Sequence, residues 1–460
     1  MKSSVFPRVI AWVLLLSLTG CLGPPSRTGL IPVGVARVDI SPTNAVRLMG
    51  YAARAQLAAP TSIIQRIHAR ALLIGSGQNA ALLLTIDNCI LPRAVTEEVR
   101  ARLVRRLALA PEAITLSVTH THSAPCLKGA APNIFAADLT SDDVAQIALY
   151  TDFLIGRLEE VAVAAMQDRR PAKLDWGQGT VGFAKNRRTA QGPVDHSLPV
   201  LRVTGVNGQI RAVFTSYACH CTTLSGDLNG VHGDWAGVAA QALERDHPGC
   251  VALVAIGTGA DANPEPRGSI EWVNLHGEVL AREANRLLAL PLKSVTSKPA
   301  CRLKIIQLPF QPHFTRAQWQ VRAKQLGIVG YHARKWLARL EQGTLLPNSL
   351  PYPIQTWSFG DQLALVFLGG EVVVDYGLRL KHDLDSERLW INAYANDVPC
   401  YIPSKRILSE GGYEAESSLW YYDQPQQLQP ASEELIHATV RELLPPTFHV
   451  ASKKAASPLH

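Results

Sequence analysis

Ala113-Ile114-Thr115-Leu116-Ser117-Val118 runs directly into Thr119-His120-Thr121-His122-Ser123-Ala124-Pro125. The first six residues are apolar or β-branched with no helical period, the pattern of a buried strand. Pro125 ends regular pairing. His120 and His122, at i and i+2, share a face if the chain stays extended through them. A strand end is where polar side chains converge on a pocket, and neutral imidazole is a common ligand for borderline metals such as zinc. Two solvated histidines in a surface loop would read the same way, so the pattern needs support from the rest of the chain.

Outward from this stretch, strands and helices alternate. On the N-terminal side, Val33–Ile40, Arg66–Ile74 and Ala80–Ile86 read as strands, the last two joined through Gly75-Ser76-Gly77. Asp87, just past the third strand, is expected to orient a site histidine or to serve a turn. Thr96–Leu109 reads as a helix with Glu97 and Glu98 in its first turn. On the C-terminal side come a long helix at Asp142–Met166, strands at Ala172–Gly182 and Pro199–Val203, and between them the cationic loop Phe183–Arg188.

Strand ends then recur with chemistry attached. Gln209–Tyr217 leads into Cys219-His220-Cys221. Val251–Ile256 opens into Gly257-Thr258-Gly259-Ala260-Asp261-Ala262-Asn263-Pro264, where glycine permits close backbone approach but the lysine of a phosphate loop is missing. Leu363–Leu368 ends in Gly369-Gly370-Glu371, and Leu389–Tyr394 leads on to Tyr401. The remaining elements are helices at Ser269–Leu290 and Glu433–Leu444, a strand at Cys301–Leu308, and a helical hairpin over Thr315–Gln342 broken near Gly327–Gly330. Trp319, Tyr331 and Trp336 in that hairpin read as packing residues.

The class is therefore α/β, a mixed β-sheet core with flanking helices forming a single large catalytic domain over residues 31–445, with 446–460 as a tail. His120, His122, His220, Glu371 and Tyr401 all follow strands, where open α/β sheets build their sites. Two histidines and one carboxylate with an open position form a recurring hydrolytic zinc arrangement, in which bound water becomes a nucleophile near neutral pH.

Composition narrows the function. With 460 residues, 47% hydrophobic and 18% charged, the chain can bury a large core and is not a disordered one. Its net charge of +7 is scattered, with Arg100, Arg102, Arg105 and Arg106 on one helix and Arg187-Arg188 elsewhere. No basic block is interleaved with aromatics, which argues against nucleic acid. Lys2 and Arg8 precede the apolar Ile10–Leu16, too short for a spanning helix and suited to a secretory signal over residues 1–20. Leu18-Thr19-Gly20-Cys21 resembles a bacterial lipobox, which implies cleavage before Cys21, its lipidation, and residues 21–30 as a tether to the cell-envelope membrane. An ordinary signal peptide with a chance cysteine is the alternative, and either way the chain is exported. Seven further cysteines remain without a C-x-x-C pair, so at least one thiol is free and a zinc ribbon is not supported.

Met49-Gly50-Tyr51-Ala52, Gln65-Arg66 with Ala69-Arg70-Ala71, Thr119–Ser123, Asn186-Arg187, the His220 strand end, Asp261–Pro264, Gly370-Glu371 and Asn392-Ala393-Tyr394 leading to Tyr401 occur in an order that resembles the catalytic domain of the neutral/alkaline, non-lysosomal ceramidases. The resemblance spans roughly residues 31–445. It implies Zn2+ held by His120, His220, Glu371 and Tyr401, with His122 and Arg187 in the catalytic surroundings, and cleavage of an N-acyl amide bond in a small-molecule or lipid substrate. Water activated by the metal would attack the carbonyl, donors such as His122, Tyr401 and Arg187 would stabilise the oxyanion, and His122 would protonate the leaving amine if its pKa is near neutral. Asn263 stands where the family carries an active-site serine, the spacer before Tyr401 is longer than in the family, and the chain length leads us to expect no C-terminal immunoglobulin-like domain. Two other readings stand beside this one: a zinc hydrolase of a different envelope or glycan-linked amide or ester, and a binding lipoprotein with a vestigial site.

Overall fold

The computed structural model describes Met1 and residues 29–449, so Cys21, the signal segment and nearly all of the tether lie outside the described residues. Two sheets dominate. The first half of the chain supplies β1 (Ile31–Asp39), β2 (His68–Ile74), β3 (Ala81–Ile86), β4 (Ile114–Val118), β5 (Arg170–Thr180), β6 (Ala184–Asn186), β7 (Ser197–Gly205), β8 (Ile210–Tyr217) and β9 (Val251–Ile256). The second supplies β10 (Ala262–Pro264), β11 (Lys293–Val295), β12 (Pro299–Pro309), β13 (Ser349–Phe359), β14 (Leu363–Leu368), β15 (Glu371–Val372), β16 (Leu389–Asn392) and β17 (Tyr401–Ile402). The large sheet runs β4-β3-β2-β1-β5-β7-β8-β9, with β11 added on β5, and the second runs β12-β13-β14-β16. Both are mixed: β3–β4, β8–β9 and β14–β16 are parallel, the other neighbours antiparallel.

Helices cover the sheets as the apolar periodicity requires. Chief among them are α1 (Arg93–Leu107), α2 (Ser141–Gln167), α3 (Asp234–Asp246) and α4 (Ile270–Leu288). Thr140 caps α2 by accepting the Asp143 amide at 3.1 Å. α1 starts a turn earlier than the sequence suggests, which moves Glu97 and Glu98 into its second turn. Thr315 and Gln318 form a capping box at the head of the helical hairpin, where Trp319 and Trp336 are buried as expected of packing residues.

The long strand β13 was not among the expected elements, and it carries Pro351 and Pro353. Its register explains their tolerance. Both prolines pair only with β12, at Gln307 and Ile305, and pairing with β14 begins at Ile354. The missing amides therefore cost no ladder bond on the second side. Residues 446–448, expected to begin the tail, form a helical turn that buries Phe448 beneath the Arg388 guanidinium.

One feature of the large sheet positions the site. Its edges β4 and β9 lie close together although they end opposite sides of the strand order. The segment after β16 fills the gap. The Ala393 amide donates to Ile256 at the end of β9, the Val118 amide at the end of β4 donates to Tyr394, and the Asn396 amide donates to Leu116. The C-terminal ends of β4, β8, β9, β14 and β16 thus open into one space.

Candidate metal centre

His120 and His220 reach that space from loops after β4 and β8. The face-sharing argument for His120 and His122 does not hold, because the chain leaves the extended region at His120, whose φ is +57°. The turn itself brings the rings together, edge to face at 4.7 Å, with the two Nε2 atoms 3.0 Å apart. The His122 amide donates to Cys221 at 3.3 Å, tying one histidine loop to the other. Glu371 and Tyr401 arrive as register partners in the parallel two-residue ladder β15–β17.

Four side chains meet. His120 Nε2 and His220 Nε2 each lie 3.1 Å from Glu371 Oε2, and the Tyr401 hydroxyl lies 3.3 Å from His220 Nε2. All four residues are buried. Each histidine spends its other nitrogen on a backbone carbonyl: His120 Nδ1 on Cys89 at 2.8 Å, His220 Nδ1 on Gly259 at 3.0 Å. Those contacts place the proton on Nδ1 and leave Nε2 as a lone pair in the neutral ring. Two lone pairs and a carboxylate oxygen then face one another, with only the Tyr401 hydroxyl at 3.3 Å from His220 Nε2 beside them, an arrangement that a cation satisfies. His120, His220 and Glu371 accordingly form a group able to hold a metal ion. Cys89 with His120 and His122 makes a second, overlapping group.

The electrostatics describe the same strain. Burial disfavours a charged His120, but the Glu371 carboxylate outweighs it and lifts the imidazole to about 10. Burial and then Arg187 push His220 down to about 4. Burial works against Glu371 ionising, yet His120 holds it well below the usual carboxylate range. Without a metal, one proton on His120 does the work of a cation. His122, under burial and the neighbouring histidines, stays well below its ordinary value.

The surroundings are held from several directions. The Tyr422 hydroxyl donates to Glu371 Oε1, and the Tyr394 ring lies against His120 at 4.4 Å. Trp235 Nε1 donates to the His220 carbonyl at 2.8 Å. Arg187 is not a solvated loop residue: its Nε bonds Glu414 at 2.8 Å and its Nη2 the Tyr401 hydroxyl at 3.1 Å. The glycine-rich loop is a hub. Asp261 Oδ1 accepts the Val374 amide at 2.8 Å, the Asp261 carbonyl accepts the Arg187 amide, and Ala262 accepts the His220 amide. A Cβ on Gly259 would sit 2.4 Å from the Ala218 carbonyl carbon, so only glycine lets this loop pass the His220 segment. Asn263 lies on β10 and accepts the Thr222 hydroxyl at 3.4 Å, facing the same pocket as His122 and Tyr401.

Asp87 corrects the sequence reading. It touches no site histidine; Oδ2 accepts the His68 amide at 2.9 Å and Arg70 Nη1 at 3.0 Å. The backbone carbonyls of Cys89 and Gly259 do the orienting instead, and no residue type announces a carbonyl. Tyr422 and Glu414 were also missed, since Glu414–Gln429 shows neither helical nor strand period. Among the described residues none of the seven cysteines forms a disulfide.

Gly50 offers a direct test of the His122 geometry. Its φ is +105°, and a Cβ there would lie 2.4 Å from His122 Cγ. Gly50→Ala must displace the imidazole, while His120, His220, Glu371 and Tyr401 stay put. Turnover is expected to fall roughly 10²-fold, the usual cost of an ångström of misplacement, with metal content unchanged. Metal analysis beside steady-state rates would check both halves.

Residues 32–255 match the family described as neutral/alkaline non-lysosomal ceramidase, N-terminal. Neutral ceramidase B of Dictyostelium discoideum is 26% identical over 269 residues, covering 51% of this chain and 36% of that protein. Neutral ceramidase A of the same organism is 22% identical over 270 residues with the same coverage. The matched stretch thus spans little more than a third of these relatives' length. Among solved structures, a ceramidase complexed with C2 superposes with a TM-score of 0.70 at 17% identity, over 90% of this chain and 76% of the other. The neutral ceramidase of Pseudomonas aeruginosa gives 0.69 at 20% identity, over 90% and 75%. Both share this mixed α/β fold. The matched residues include His120, His122 and His220, whereas Glu371 and Tyr401 lie beyond them and join the site through the fold. Residues 32–255, just under half of this chain, are thus similar to the neutral/alkaline non-lysosomal ceramidase N-terminal family.

Proposed function

We infer that the chain is a zinc-dependent amidohydrolase that cleaves an N-acyl amide bond. The observation that carries this reading is the convergence of His120 Nε2, His220 Nε2 and Glu371 Oε2 on one buried point. A two-nitrogen, one-oxygen donor set with a phenol beside it suits zinc. When bound, zinc would supply Lewis acidity and lower the pKa of a coordinated water. The chain's own residues do the rest. Nδ1 contacts to Cys89 and Gly259 hold the ligand rings in place, and Tyr422 fixes the second oxygen of Glu371. His122 Nε2 lies 3.0 Å from His120 Nε2, and because burial and the neighbouring histidines hold it well below its ordinary value, it is placed to accept a proton rather than to protonate the leaving amine. Arg187, locked by Glu414, directs the Tyr401 hydroxyl toward His220, where both can donate to a developing oxyanion.

The family similarity supports ceramide-like N-acyl lipids as the first substrates to try. The test is metal analysis of the purified chain from residue 22 onward, paired with turnover of N-acyl amides before and after chelation. The expected result is about one zinc per chain and activity that chelation removes and zinc restores. A chain that takes up no zinc would end this reading and favour a binding protein.

We also propose, from Leu18-Thr19-Gly20-Cys21, that the protein is exported and lipid-anchored through Cys21 to the cell envelope. Labelled palmitate should enter the protein in a bacterial host and fail to enter Cys21→Ala. Equal labelling of the two would refute the anchor.

A further inference from the structure

The pocket through which substrate must approach has a volume of about 660 Å³ and reaches the centre past His122 and Tyr401. Among the described residues that line it there is no aliphatic side chain. Tyr51, Tyr401 and Tyr413 supply ring faces. Arg188, Arg267 and Glu410 supply charge of both signs, and Thr189, Thr222 and Asn263 supply small hydroxyl and amide groups. The wall is built rather than loose. Arg188 bonds Glu414 at 2.5 Å, Glu410 at 3.0 Å and the Gly411 carbonyl at 2.9 Å, which pins the 410–414 loop as a rim.

An alkyl chain laid here would strip water from these groups without replacing its hydrogen bonds, at about 1–3 kcal/mol for each one left unpaired. Aliphatic space does exist nearby. A cavity of about 250 Å³ is lined by Met49, Leu127, Ile134, Phe135, Leu139 and Ile147, with others. It shares no lining residue with the first pocket. The aliphatic lining is thus confined to that second cavity, with Met49 on it and the neighbouring Gly50 on the first.

We propose that the native substrate is an amide whose larger portion is a hydroxyl-rich, ring-shaped or polyol group, such as an N-acylated amino sugar, rather than a long-chain lipid. The proposal rests on the amidohydrolase reading and narrows its substrate. Ring faces flanked by paired acceptors and donors are what a polyhydroxylated ring needs: apolar C–H surface against tyrosine, hydroxyls against Arg267, Asn263 and Glu410. The balance of three arginines against two glutamates in the lining gives no strong selection for an anion.

The test compares zinc-loaded enzyme on N-acetylglucosamine and on C16 ceramide in mixed micelles. In parallel, fluorescence titration measures N-acetylglucosamine binding to the wild-type chain and to Arg267→Leu. The expected results are a kcat/KM at least about tenfold higher for the sugar amide, the discrimination a hydrogen-bonding site readily supplies, and roughly tenfold weaker binding by Arg267→Leu, with KM raised and kcat little changed. Faster ceramide turnover, with sugar binding indifferent to Arg267→Leu, would overturn the proposal and leave the amidohydrolase reading standing. Sugar binding that weakens in Arg267→Leu without turnover of either amide would support the pocket's ligand class and sink the hydrolase. No binding and no turnover of the sugar amide would overturn the proposal.

Discussion

Alanine at His120 or at His220 should empty the centre of metal and abolish turnover. Each imidazole is one of only three strong donors at that point, and each is oriented by a single backbone carbonyl that no other side chain can replace. Removing either leaves one imidazole and one carboxylate beside the Tyr401 phenol, short of the three strong protein ligands a catalytic zinc site keeps. The metal's contribution to transition-state charge is several kcal/mol, so its loss should lower activity by about 10³-fold or more. Metal analysis and N-acyl amide turnover of the two variants beside wild type would read both effects. Full zinc occupancy in His220→Ala would remove that residue from the ligand set. The folded state should survive in His220→Ala, because His120 is left facing Glu371, whereas His120→Ala removes that partner of a buried carboxylate and should cost stability as well.

Asp87→Ala should do the reverse, costing stability and sparing the metal. Arg70 is fully buried between Asp87 at 3.0 Å and Glu244 at 3.2 Å. Deleting one partner of a buried ion pair typically costs about 3–5 kcal/mol, because the remaining charge is left poorly compensated. Glu244 still faces Arg70, which puts the expectation at the lower end of that range. Denaturant unfolding of the two chains would measure it, with zinc stoichiometry as the second readout. Lost zinc at unchanged stability would restore Asp87 to the role of histidine orienter.

These two variants mark where sequence alone succeeds and where it stops. His120 and His220 were legible because each follows a β-branched apolar run, and the end of such a strand is a site position in this class of sheet. Glu371 and Tyr401 were legible by the same rule, and the cationic run at Arg187 only as a loop. Asp87 also follows a strand, yet it serves the core. Its partners, His68 and Arg70, lie on β2, and nothing local distinguishes a carboxylate that pairs with Arg70 from one that pairs with an imidazole. Strand β13 carries two prolines whose harmlessness depends on where β14 begins to pair. Tyr422, which holds Glu371, sits in a stretch without periodicity, and the orienting carbonyls of Cys89 and Gly259 have no signature in any side chain. What escaped was long-range or backbone-borne.

The segment Ala393–Asn396, seated between β9 and β4, sets an order of events. During synthesis both histidines emerge within the first 220 residues, but the carboxylate comes with β15 and the seam closes only after β16. A nascent chain that has completed β9 holds two of the three donors and an open edge where Tyr394 will later lie. The three-donor group is therefore complete only late in synthesis, and a chain cut short after residue 255 would be matched by the family yet lack Glu371.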